Sequence, residues 1–141
     1  MAKLTLEQAC KIIDVAMAKG VEMKTKPLSA AVVDAGGNLV AFKKADNSSV
    51  LRFEIAFGKA YASIGMGMPS RNIETMATTR PHFANALASA SGGRFIPVAG
   101  GILVKSAEGE VIGAVGVTGD TSDNDEAAAK AGVAAAGLVT D

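Results

Sequence analysis

The chain has 141 residues, of which 49% are hydrophobic and 20% charged, and its 14 basic and 14 acidic side chains cancel. That length buries a core without metal or disulfide staples and is expected to form one domain over residues 1–141. A single cysteine and a single histidine exclude a disulfide framework and a zinc site of the usual spacing, and the balanced charge excludes a basic nucleic-acid footprint.

Thr5-Leu6-Glu7-Gln8 has the spacing of a capping box, with Thr5 as N-cap. Leu6, Ala9, Cys10, Ile13, Ala16 and Met17 then recur as a helical stripe, and the helix is expected to end near Gly20–Lys24, before Pro27. Cys10 on that stripe reads as an inert core thiol. Ser29–Asp34 and Leu39–Lys44 form a hairpin around Ala35-Gly36-Gly37-Asn38, in which Asp34 is expected to hold the turn backbone. Val50–Met66 reads as a helix apolar on most sides, interrupted only by Arg52, Glu54 and Lys59, and therefore buried between layers or subunits. Ser70 is placed to cap a short helix through Met76 or Ala77. Pro81 opens another that runs to about Ser89.

Arg94–Val98 is expected to be partly extended, offering a fifth strand near Ile96 beyond the four of the hairpins, and leads into a second hairpin at Ile102–Val104 and Val111–Val117. Gly113, Gly116 and Gly119 punctuate the second strand of that hairpin. Alternation places Val111, Gly113, Val115 and Val117 on one face and Ile112, Ala114, Gly116 and Thr118 on the other. Both faces are apolar or small, so this is an inner strand covered on two sides, and Gly113 is expected to admit a packed helix or a neighbouring subunit. An Ala-rich helix, Glu126–Leu138, follows, with Ser122 or Asp123 as its cap. The order α-β-β-α-(α)-(α)-β-β-α with short strand connections gives an α+β fold with an antiparallel sheet. No apolar run reaches the length of a membrane span and no charged-then-apolar leader precedes the first helix, so the expected location is the cytoplasm. Low charge suggests that other subunits cover apolar surface, with the apolar helices as the contact.

The runs AAVVDAGGNLVAFKKAD, IAFGKAYASIGMGMPSRNI and PVAGGILVKSAEGEVIGAVGVTGDTSDNDEAAAKAG occur in that order across essentially the whole chain. In their glycines, in Lys59-Ala60, in Pro69-Ser70-Arg71 and in Gly116–Gly119 with Asp125 six residues on, they resemble the GlcG/HbpS family. The resemblance implies a profilin-like or PAS-like sheet of about five antiparallel strands with flanking helices, assembled as a homo-oligomer, a tetramer or octamer. It also implies one of several roles: haem-binding sensor, domain attached to a corrinoid-handling enzyme, or small protein of a catabolic gene cluster.

Haem needs an axial donor in an apolar slot and basic groups for its propionates. His82 is the only imidazole and six methionines are present, while Arg71, Arg80 and Arg94 are suited to carboxylates. His82 reads either as an axial ligand, if haem is bound, or as a solvated residue at a helix start. No Gly-x-Ser-x-Gly elbow occurs, the glycine run is not a dinucleotide fingerprint, and Asp123-x-Asp125 lacks the rest of a calcium loop. Lys59 reads as a base of depressed pKa or as a lysine whose amine reaches water or a carboxylate such as Asp125. The expected pocket lies between the Arg71–Phe95 segment and the glycine-rich strand, with Arg71, Arg94, Phe95, Thr118 and Gly119 touching the ligand. The leading reading is a small-molecule-binding accessory protein for haem or another tetrapyrrole. An enzyme of small organic-acid catabolism, with carboxylate-binding arginines such as Arg52, and a structural subunit stay open beside it.

Overall fold

The computed structural model describes residues 2–141 as helix α1 (Leu6–Glu22), strands β1 (Ser29–Asp34) and β2 (Leu39–Lys44), helices α2 (Arg52–Met66), α3 (Ser70–Thr79) and α4 (Pro81–Ala90), strands β3 (Gly101–Lys105) and β4 (Val111–Thr118), and helix α5 (Ser122–Ala135). The strands form one antiparallel sheet in the order β2-β1-β4-β3. Both hairpins pair their own strands, and the hairpins join through β1 and β4. The glycine-rich strand is therefore an inner one, as its two-sided apolar pattern requires.

The sheet has four strands rather than about five. The expected fifth, around Ile96, is not a strand, because Ile96 donates its N–H to Gly58 O of α2 at 3.2 Å and Pro97 has no N–H to offer a ladder. Its place at the β3 edge is taken by an isolated bridge between Lys105 and Val139.

One face of the sheet packs on α1 and α5, through Ala9, Ile12, Ile13, Ala16, Ala30, Val32, Val115, Val117, Ala129 and Val133. Thr5 and Gln8 complete the capping box of α1 with two 3.0 Å bonds. Leu6 is exposed and Ile12 is buried in its stead, because positions 9, 12, 13 and 16 make the continuous helical face. The other face carries α2, packed through Ala60 on Val33 and Ala114. A third cluster joins α2, α3 and the segment before β3: Ala62, Ile73 and Phe95, with Met66, Met68, Met76 and Leu87 against it.

The glycines explain how α2 lies so close. A Cβ on Gly116 would run into Ala56 O and Ala60 N, and one on Gly101 into Lys59 O, all backbone atoms of α2. The close approach belongs to Gly116 and Gly101. Gly113, expected to admit a helix or subunit, instead faces Val33 O of β1 and the Leu4 side chain. Two helix starts also differ from expectation. Ser70 does not cap α3 but is its first residue, with Pro69 before it. Helix α5 begins at Ser122 with Thr121 as cap, accepting from Asn124 N at 3.2 Å, so neither Ser122 nor Asp123 serves. Asp34 holds its turn as expected, accepting from Gly36 N at 3.0 Å and Asn38 N at 2.9 Å.

Candidate functional site

The carboxyl end of β4 gathers polar groups from α2, β4, α5 and the loops beside them. Lys59, on the sheet-facing side of α2, donates to Val117 O at 2.9 Å and to Asp125 Oδ2 at 3.1 Å, and both charged residues are 2% exposed or less. The other oxygen of Asp125 accepts from Asp120 N at 3.0 Å. Burial is the largest influence on both, pushing the ammonium below its ordinary range and the carboxyl above its own, while the attraction between them works in the opposite direction. Lys59 therefore ties α2 to α5 across the strand end, the second of the two sequence readings, and is sealed from any ligand. Thr118, also buried, accepts from Arg52 Nη1 at 2.7 Å, and Arg52 Nε donates to Ser49 Oγ at 2.9 Å. Gly119, at φ +140°, has Pro27 O where a Cβ would sit, so close chain packing accounts for that glycine.

Arg71 does not stand with these groups. On exposed α3 it binds Asp123 at 2.5 Å and Glu126 at 3.0 Å on α5, and these carboxylates hold its guanidinium above its ordinary range. Ser70 beside it lies at 0% exposure and works inward. Its hydroxyl accepts from Gly101 N at 2.7 Å and lies 2.7 Å from Val98 O, clamping the turn into β3.

Arg94 and Phe95 come together in a different place. Phe95 lines a depression of about 230 Å³ with Tyr61, Gly65, Met66, Leu87 and Ser91, between α2 and α4. Arg94 lies over the Tyr61 ring, 4.9 Å from its centroid, and donates from Nε to Ser91 O at 2.7 Å. Tyr61 ends a row of aromatic rings along α2: Phe57 tilted against it at 5.7 Å, Phe53 stacked on Phe57 at 5.7 Å, and Phe42 of β2 edge-on to Phe53 at 5.0 Å. The result is a slot with apolar walls, one thioether and one guanidinium at its rim. His82, exposed on the first turn of α4, does not line it.

Of the expected ligand residues, then, the fold unites Arg94 with Phe95 and Thr118 with Gly119, and places Arg71 and His82 apart from both pairs. Over the glycine strand itself lies α2, whose Ala56 and Ala60 backbone atoms press on Gly116. Sequence reasoning missed Tyr61, Met66 and Leu87. The i, i+4 spacing of Phe53, Phe57 and Tyr61 was the available signal. A wider groove of about 720 Å³ runs along α1, past Gln8, Cys10, Lys11 and Asp14, and Cys10 is half-buried at its side. Among the described residues no cluster of three His, Cys, Asp or Glu side chains has the form of a metal site, and no helix is long and apolar enough to cross a membrane.

Comparison with known proteins agrees with the sequence resemblance. The family model for "Haem degrading protein HbpS-like" matches residues 4–134. An uncharacterized 15.0 kDa protein of the dhaT–dhaS intergenic region of Citrobacter freundii is 32% identical over 125 residues, 89% of this chain and 86% of that one. Among solved structures, HbpS aligns with a TM-score of 0.81 at 27% identity, over 95% of this chain and 90% of its own. The Klebsiella pneumoniae protein ORFY aligns with a TM-score of 0.86 at 26% identity, over 99% and 94%. PduOC in its complex with heme shares the fold at a TM-score of 0.86 and 21% identity, over 99% of both chains.

Proposed function

Because the chain belongs to the HbpS-like family, we propose that it is a small-molecule-binding accessory protein whose ligand is haem or another flat tetrapyrrole. The observation that carries this reading is the slot between α2 and α4. Tyr61, Leu87 and Phe95 would supply apolar walls, Met66 a soft thioether donor, and Arg94 a guanidinium for a propionate. Haem in such a seat would supply an iron centre, and the chain would supply its contact face, its charge partner and its shelter from water.

A depression of about 230 Å³ is smaller than the roughly 300–1,000 Å³ of an enclosed ligand pocket, so one protomer covers only part of a macrocycle. This supports a homo-oligomer, tetramer or octamer, in which a second copy covers the rest. Exposed Val50 and Leu51 at the start of α2, and Val21 at the end of α1, are apolar surface available for such contacts. His82, exposed and outside this slot, would reach iron only in an arrangement of this kind, where haem is shared between copies. The free, half-buried Cys10 accords with a cytoplasmic protein.

Titration of the protein with haemin tests the reading. A saturable Soret shift is expected, weakened in Arg94→Gln and in Phe95→Ala. Loss of the low-spin signature in Met66→Ala but not His82→Ala assigns the thioether within one protomer, and the reverse assigns the shared arrangement. No Soret shift in the wild type refutes the proposal.

A further inference from the structure

We propose that α4 is a lid over the α2–α4 slot, latched shut by Arg94, which opens as a unit to admit a macrocycle and yields its latch to a propionate. What enters rests on the tetrapyrrole reading of that slot; the opening itself does not.

The tether of α4 differs from that of every other helix. Its sequence, PHFANALASA, is mostly apolar, yet Ala84 is its only buried residue. Asp14 ties α1 to Lys43 of β2, and Lys59 and Asp125 tie α2 and α5 to each other. Ser70 and Glu74 tie α3 to the backbone N–H groups of Gly101 and Ala99. Among the described residues no hydrogen bond or ion pair joins Pro81–Gly93 to anything outside Arg80–Arg94.

Both ends of α4 are built to turn. At the start, Arg80 stands outside the helix at φ −137° and ψ 65°, because a residue before proline is pushed out of the helical region. At the end, Gly92 at φ +68° closes a cap in which Gly93 N donates to Ala88 O at 2.8 Å and Gly92 N to Ser89 O at 3.1 Å. Gly93 adds a second positive φ, +82°, beyond what that cap requires, and nothing lies within 4 Å of where its Cβ would sit. An unpacked glycine beside the cap is a pivot.

Two contacts hold α4 down. Leu87 packs against the cluster of Ala62, Ile73 and Phe95. Arg94 lies over the Tyr61 ring of α2, 4.9 Å from its centroid, and donates from Nε to Ser91 O at the end of α4 at 2.7 Å. One guanidinium therefore joins the lid to the wall it covers, and it is the same group that faces a propionate. A carboxylate that draws Arg94 away weakens the latch as it binds. A ligand moves a two-state element only by preferring one state, and this competition supplies the preference. The depression of about 230 Å³ is then the closed state, and lifting α4 adds the depth a macrocycle needs.

Hydrogen exchange of the free protein, read by mass spectrometry, tests the lid. Peptides of α4 are expected to be at least about a hundredfold less protected than those of α2, and dilute urea is expected to leave that protection unchanged, since a local opening exposes little surface. Arg94→Gln is expected to lower α4 protection roughly fivefold further, the worth of one exposed cation–π contact, and to leave α1 and α2 as they were. Leu87→Ala is expected to loosen α4 without touching the guanidinium. Stopped-flow Soret measurements test entry. Haemin is expected to associate faster with both variants, although Arg94→Gln holds it more weakly. It is also expected to associate faster than its dimethyl ester, which has no carboxylate, with the wild type and Leu87→Ala but not with Arg94→Gln. The lid is overturned if α4 exchanges only together with α2 in global unfolding, or if both variants leave its protection unchanged. Slower entry in both variants, or equal rates for haemin and ester in the wild type, overturns its coupling to the ligand. An opening α4 with no Soret shift keeps the lid and refutes the tetrapyrrole as what it admits.

Discussion

Removing one partner of the Lys59–Asp125 pair is the sharpest perturbation of the fold. In Asp125→Asn the amide oxygen still accepts from Asp120 N, but the ammonium of Lys59, 2% exposed, keeps only Val117 O. Orphaning a buried charge in this way costs about 3–5 kcal/mol. A chain of this size has only about 5–15 kcal/mol in total, so roughly a fifth or more of its stability is at stake. Lys59→Met orphans the carboxylate instead, at a similar cost. The double variant Lys59→Met/Asp125→Asn has no buried charge. It is expected to lose less than half the sum of the two single losses. Urea unfolding of the four proteins gives the cycle. Single losses below about 1 kcal/mol, or simple additivity, would refute the assignment of the pair as the tie between α2 and α5.

Gly116→Ala is expected to destabilise by about 1–3 kcal/mol, because its methyl meets α2 backbone that no side chain rotation can clear; thermal melts measure it. Ser70→Ala leaves the buried Gly101 N–H without an acceptor and is expected to cost about 1–3 kcal/mol in the same assay, whereas Ser70→Thr is expected to retain part of the bond. Arg71→Gln, despite its two carboxylate partners, is expected to cost less than about 1 kcal/mol and to matter less still at high salt, since the cluster is exposed. A large, salt-independent loss would mean that α3 depends on that contact more than its exposure allows.

The order of helices and strands was legible because each carries its own periodicity and punctuation. The inner position of β4 followed from its two apolar faces; for Lys59, a cation on an apolar helix, a carboxylate such as Asp125 was one of two readings, and the partner lies 66 residues on. The features that escaped local reading depend on distant partners. Ser70 has the position of an N-cap, but its hydroxyl is used by Gly101, 31 residues on. Ile96 has strand-forming neighbours, but its N–H is used by α2. Thr121 displaced Ser122 as the cap of α5 because Asp120 and Asp125 bond each other and set where the helix begins. The slot was half legible: Arg94 and Phe95 were in view, while the walls they face come from α2 and α4. No local pattern announces that those helices meet there.

The location of the tetrapyrrole is the central claim, and paramagnetic broadening measures it directly. With ¹⁵N-labelled protein and substoichiometric haemin, amide signals of Tyr61–Met66 and Leu87–Phe95 are expected to broaden first, while those of α1 and of the β1–β2 turn persist. Broadening centred on the β4 end around Thr118 and Gly119, or none at any residue, would contradict the account.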